Sequence, residues 1–378
     1  MIRRLLLVLV GLALVGAPWA PPAGAQVGDP PVPEAAAFIL VNGSTGEVLA
    51  SEDADIPLAM ASTTKIMTAL VVLEQADLDD RYTVPPEALI GGSTAFLEAG
   101  ETLSVRHLMT GLLVASGNDA SITLAVGLAG SQEAFVELMN ERARTLGLRD
   151  TAFENPHGLD GPGHRTTVRD LAILSRAAMG IPLFRELVAV RRDTIPGPGG
   201  SGIRTLESNN LLLDAYPEAD GIKTGMTNLA GYTLVAHARR PALGVDLYVA
   251  MIGASSSEGR ARDAEALLRW GFGQYARPML LPPGSVVGEV PVQYRPDEGV
   301  MYRVERGVRP PIRLGVPVTE EIAAPLEVAG PVREGDVLGT VTFRQGERVL
   351  ARRDLIAAES VDSAGLLDRV RSGIGALL

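Results

Sequence analysis

From 60 to 74 the pattern is helical and, past Lys65, almost wholly apolar. A helix hydrophobic on all sides belongs in a protein interior. Other elements must therefore cover it, and the flanking sequence predicts which ones. Two short apolar runs, 37–41 and 47–50, flank Asn42-Gly43-Ser44-Thr45-Gly46, a hairpin signal. Residues 105–148 hold several Leu- and Ala-rich helical stretches, and 168–179 another, with Thr166 or Thr167 as cap and Asp170 in its first turn. A Gly/Pro loop at 197–202 leads to three strand-like runs, 222–224, 232–238 and 245–252, and then to a helix over 261–272. This order predicts an α+β fold, an antiparallel sheet covered by helices, over 35–278.

The composition shifts after Pro282-Pro283-Gly284. Short Val-rich runs at 286–292, 300–304, 312–316, 337–343 and 349–356 predict a second, small all-β sandwich over 282–358. In the tail, 361–378, Leu366, Leu367, Val370, Ile374, Leu377 and Leu378 share one helical face. That face fits a helix lying in a membrane surface, and equally a helix packed on the β domain. At the other end, Arg3 and Arg4 precede the apolar run 5–15 and the triplet Ala23-Gly24-Ala25. This reads as a signal peptide over 1–25 of an exported protein, followed by a Pro-rich linker at 26–34. There is no cysteine, hence no disulfide framework, thiolate metal site or cysteine nucleophile. The net charge of -11, with no basic stretch, argues against a nucleic-acid partner. The histidines show no metal-ligand spacing, and neither a metal nor a cofactor is expected.

Of 34 basic residues only two are lysine, Lys65 and Lys223. Base composition accounts for a bias toward arginine. It leaves open why these two positions escape it. Arginine cannot be deprotonated in a protein, whereas a buried lysine can. Lys65 lies three residues after Ser62, so on a helix the two side chains share a face. A serine needs a base beside it to act as a nucleophile, and a desolvated amine has a lowered pKa. The bland alternative is a capping serine followed by a surface lysine. Lys223 lies in Ile222-Lys223-Thr224-Gly225, a strand edge where another backbone comes close, and Lys223 and Thr224 there suit a carboxylate. Ser116-Gly117-Asn118 lies between two apolar helical segments, where a polar cluster needs a reason. Ser208-Asn209-Asn210 also matches Ser-x-Asn, but it sits beside a Gly/Pro loop and is explained as turn chemistry.

Taken in order, Ser-x-x-Lys, Ser-x-Asn and Lys-Thr-Gly are the signature set of the serine β-lactamases and penicillin-binding proteins. On these motifs, with Asn155-Pro156-His157-Gly158-Leu159, Thr166 to Ala172, Ala219-Asp220-Gly221 and Ala230-Gly231-Tyr232, the chain resembles the serine-type D-alanyl-D-alanine carboxypeptidases, the low-molecular-mass penicillin-binding proteins. The resemblance implies the penicillin-binding-protein fold with a β-sandwich behind it and a C-terminal amphipathic anchor. It implies that Ser62 attacks the bond between two D-Ala residues of a peptidoglycan stem peptide, with Lys65 as general base. Ser116 and Asn118 would relay the leaving-group proton and hold the substrate. Lys223 and Thr224 would receive the terminal carboxylate, beside Gly225. The backbone N–H groups of Ser62 and Met226 would form the oxyanion hole. β-Lactams would acylate Ser62. Met226 stands where some members have a histidine or an aromatic residue. Ser208 stands near the place where some have a carboxylate-binding arginine, a task Arg260 is expected to share. Competing readings are a β-lactamase, with Glu154 as candidate activator of the deacylating water, an endopeptidase of peptide cross-links, and a non-catalytic wall-binding protein.

Overall fold

The computed structural model describes residues 12–13 and 28–375. The described residues divide into two compact units, Asp29–Gly273 and a smaller one from Gln274 onward.

The larger unit is built on a five-stranded antiparallel sheet. Its strands are β1 (Ala37–Asn42), β2 (Val48–Glu52), β5 (Ala219–Thr227), β6 (Gly231–Arg240) and β7 (Val245–Ala254), in the order β2-β1-β7-β6-β5. Two further strands, β3 (Arg192–Pro196) and β4 (Ile203–Glu207), form a separate hairpin. The helices are α1 (Lys65–Gln75), α2 (Val105–Leu113), α3 (Asn118–Ala129), α4 (Gln132–Leu146), α5 (Val168–Ala178) and α6 (Ser257–Gly273). The central strands are buried along almost their whole length, as a sheet covered on both faces requires. α1 is the interior helix its composition demands: Lys65 through Val72 are all buried. The caps follow the sequence. Thr167 starts α5 by accepting a hydrogen bond from the Asp170 amide, and Ser131 starts α4 in the same way.

One local difference matters for the site. Ser62 was expected in the first turn of the central helix. Instead Ala61–Thr64 form a 3₁₀ turn, and the α-helix proper begins at Lys65. Ala61 carries φ of +48°, a costly conformation for a residue with a Cβ. It turns the chain so that Ser62 stands at the head of α1.

The smaller unit is sheet-rich. β8 (Val286–Val292), β9 (Arg295–Arg303), β10 (Thr319–Ala323), β11 (Val337–Gln345) and β12 (Arg348–Ala357) form an antiparallel sheet in the order β10-β11-β12-β9-β8. Its core gathers Val290, Val300, Val304, Val341, Phe343 and Leu355. Leu12–Ala13 pair with Ile322 and Ala323 at the edge of this sheet. The rest of the expected leader over 1–25 lies outside the described residues. The tail forms helix α7 (Leu366–Gly375). Arg295 holds its start through Asp368, at 3.1 Å, and through the Ser363 carbonyl, while Leu366, Leu367 and Val370 face solvent.

Candidate active site

Three segments converge on one groove of about 600 Å³, lined among others by Ser62, Ser116, Asn118, Thr224, Gly225, Met226 and Arg260. The 3₁₀ turn supplies Ser62. The short link between α2 and α3 supplies Ser116 and the first residue of α3, Asn118. Strand β5 supplies Lys223, Thr224, Gly225 and Met226.

Lys65 is fully buried, and its Nζ has three neighbours. It lies 3.0 Å from Ser62 Oγ, 2.8 Å from Asn118 Oδ1 and 2.6 Å from the His157 carbonyl. The last two are acceptors only, so they take two N–H bonds of the amine. Once the amine is neutral, this leaves its lone pair for the Ser62 hydroxyl. Burial and, after it, the nearby charge of Lys223 hold the Lys65 pKa well below the ordinary lysine value. The lowered pKa frees the amine to serve as a base toward the Ser62 hydroxyl 3.0 Å away.

Lys223 Nζ donates to Ser116 Oγ at 2.8 Å and to the Thr224 carbonyl at 2.9 Å. Burial, and then Arg260, lower its pKa to about 7. Ser116 sits at φ +60°, a strained position for a serine, fixed by its neighbours. The Gly117 amide donates to the Gly111 carbonyl, and the Asn118 amide to Ser93. Gly117 permits this packing, since a Cβ there would stand 2.4 Å from Asp119 Oδ1. Asn118 donates from Nδ2 to the Gly91 carbonyl at 2.8 Å, which fixes its Oδ1 toward Lys65. Gly225 has an equally local reason. A Cβ on it would lie 2.6 Å from the Ser62 nitrogen, so only glycine lets β5 run this close to the nucleophile's amide.

Arg260 lines the groove but is spent largely on the backbone. It is buried and donates to the carbonyls of Gly225 and Thr233 at 2.8 and 3.1 Å. Its charge therefore acts beneath β5. The Met226 side chain stands exposed at the rim. Ser208 and Asn209, read above as turn chemistry, also line the groove.

Several contributors carried no sequence signal that singled them out. The His157 carbonyl is a backbone group and has no side-chain signature. Asp119 grips the 94–97 loop, accepting from the amides of Ala95 and Leu97 and from Thr94 Oγ1. His157 and His164 are buried, and their pKa values fall to about 3 and about 4, so both stay neutral. Glu154 accepts from the Gly163 amide and does not line the groove. Among the described residues no group of acidic or histidine side chains could hold a metal ion.

A serine at a helix head, a buried lysine of lowered pKa beside it and a strand edge carrying Lys-Thr-Gly define the class of serine acyl-transfer enzymes. Residues 25–256 match the family model described as D-alanyl-D-alanine carboxypeptidase, and the chain belongs to that family. It is 34% identical over 362 residues to D-alanyl-D-alanine carboxypeptidase DacD of Salmonella typhimurium, covering 90% of each chain. It is 31% identical over 355 residues to DacF of Bacillus subtilis, again covering 90% of each. Among solved structures it is similar to penicillin binding protein 5 from Haemophilus influenzae, with a TM-score of 0.65 and 28% identity. That match covers 89% of this chain and 100% of the other.

Proposed function

We propose that the chain removes the terminal D-Ala from peptidoglycan stem pentapeptides through an acyl-enzyme on Ser62. The observation that carries this is the Lys65 amine, buried, held by two acceptors and 3.0 Å from Ser62 Oγ. As the substrate settles, Lys65 takes the Ser62 proton and Oγ attacks the carbonyl of the penultimate D-Ala. The oxyanion is met by the amides of Ser62 and Met226, one on each side of the narrow gap that Gly225 leaves. Lys223 and Thr224 receive the terminal carboxylate, and Asn118 holds the acyl-side amide. The proton reaches the leaving amine by way of Ser116, which Lys223 orients. Water then hydrolyses the ester with Lys65 again as base. A β-lactam follows the first half of this course and leaves its acyl group on Ser62.

Glu154 supports the carboxypeptidase over the β-lactamase reading, because its carboxylate is used to order the 161–163 loop rather than to face Ser62. The test is release of D-Ala from a stem pentapeptide, with loss of release in Ser62→Ala. Undiminished release in that variant would sink the assignment.

The protein acts outside the cytoplasm in this reading, exported by its N-terminal segment. The exposed Leu366, Leu367 and Val370 of α7 rest on a membrane surface. Co-sedimentation with anionic lipid vesicles, lost on Leu366→Ser with Leu367→Ser, checks the tail. Equal binding by the variant would exclude it.

A further inference from the structure

His237 lies in the middle of the sheet, away from the groove, and the mechanism above does not use it. Its surroundings tie it to the strand that bears Lys223. In the pairing of β5 with β6 the register runs Ala219 with Ala238, then Ile222 with Ala236. Asp220 and Gly221 thus stand opposite the single residue His237, which is a β-bulge. The His237 ring is buried and donates from Nδ1 to Asp220 Oδ1. Its Nε2 faces Asp246 Oδ2 on β7 at 3.8 Å. The Tyr248 ring packs on it with centroids 4.5 Å apart.

The outer groups complete the cluster. Arg239 Nε approaches the other Asp220 oxygen at 3.4 Å, and Ser44 donates to Asp246. Arg176 of α5 and Arg185, on the short helix Pro182–Val188, add positive charge near Tyr248. Burial by itself disfavours a charged ring, but the hydrogen bond to Asp220 and the nearby Asp246 carboxylate outweigh it and raise the His237 pKa.

The consequence concerns register. Side chains alternate across a strand, so a one-residue slip would turn Lys223 away from Ser116 and present Ile222 or Thr224 in its place. The bulge, at Asp220 and Gly221, precedes Lys223 by two residues and sets the register in which β5 continues. We propose that His237 is a positioning residue: by gripping Asp220 across the bulge it holds β5 in the register that aims Lys223 at Ser116 and Thr224 into the groove. Asp220 is the handle, and the acids and tyrosine on β5 and β7 hold the ring in place. The proposal rests on the reading of Lys223 and Thr224 as the carboxylate contact.

The experiment compares acylation of Ser62 by a penicillin and by its methyl ester in wild type, His237→Ala and His237→Asn. The ester lacks the charge that Lys223 and Thr224 receive. The rate constant for the free acid should fall about tenfold or more in His237→Ala, as expected of a misplaced contact. The rate for the ester should hold. His237→Asn keeps a donor at the Nδ1 position and should restore most of the loss. An equal fall for acid and ester would mark a general structural role and overturn the proposal, as would no fall at all. Amide hydrogen exchange at 222–224 provides a readout independent of acylation. Exchange should quicken in His237→Ala and return in His237→Asn, and unchanged exchange would refute the latch. A wild type that reacts equally with acid and ester would instead refute the carboxylate contact, with exchange still deciding the latch.

Discussion

Replacing Lys65 by arginine isolates the proton-transfer step. The side chain is fully buried, and its nitrogen touches Ser62, Asn118 and His157 at 3.0, 2.8 and 2.6 Å. Arginine keeps a cation and can still donate to Asn118 and to the His157 carbonyl. It has no lone pair to receive a proton at any accessible pH. The whole general-base contribution is therefore lost, about 10²- to 10⁴-fold in rate, or about 3–5 kcal/mol of barrier. The larger guanidinium also strains the site, at about 1–3 kcal/mol of stability, so unfolding must be followed separately from acylation. The assay is the second-order rate constant for acylation by a fluorescent penicillin, taken as a function of pH. In wild type the rate rises with pH as Lys65, whose pKa is lowered by burial and by Lys223, loses its proton. In Lys65→Arg that rise should vanish together with the magnitude. A variant that acylates within about tenfold of wild type (a barrier change under about 1.4 kcal/mol) or keeps the same pH limb would refute the assignment of the base.

Gly225→Ala should lower acylation by about 100-fold, because its Cβ would stand 2.6 Å from the Ser62 nitrogen; the same fluorescent assay reads it. Asp119→Ala should cost about 2–4 kcal/mol in a urea titration, since the Ala95 and Leu97 amides and Thr94 lose a buried acceptor. Lys223→Met should change the pH dependence of stability. The folded pKa of Lys223 is about 7 against the usual 10.5. Between these values the unfolded chain binds the extra proton, so wild-type stability rises with pH relative to the variant, by up to about 1.4 kcal/mol per pH unit. Parallel pH curves for the two proteins would show that Lys223 is not perturbed.

Much of the site was legible because its chemistry restricts residue type and spacing together. Ser62 and Lys65 must share a face, and a chain that otherwise uses arginine retains lysine at the two buried positions that bond Ser62 and Ser116. The central helix and the strands β6 and β7 were equally plain, being long apolar runs. Other features left weaker traces. The hairpin β3–β4 flanks the Gly/Pro loop with strands of mixed polarity, and only the loop was visible in sequence. β10 reads Thr-Glu-Glu-Ile-Ala, an edge-like composition with little apolar alternation. The 3₁₀ turn at Ser62 depends on Ala61 adopting positive φ, which tertiary packing imposes against local preference. The pairing of β1 with β7 joins segments some 200 residues apart, and no local pattern encodes it.

The central claim is that Ser62, activated by Lys65, is the nucleophile. Intact mass after incubation with benzylpenicillin, followed by peptide mapping, tests it most directly. The account predicts one penicilloyl group per chain, on the peptide containing Ser62, and none in Ser62→Ala. An adduct on any other residue, or none on the wild-type protein, would contradict it.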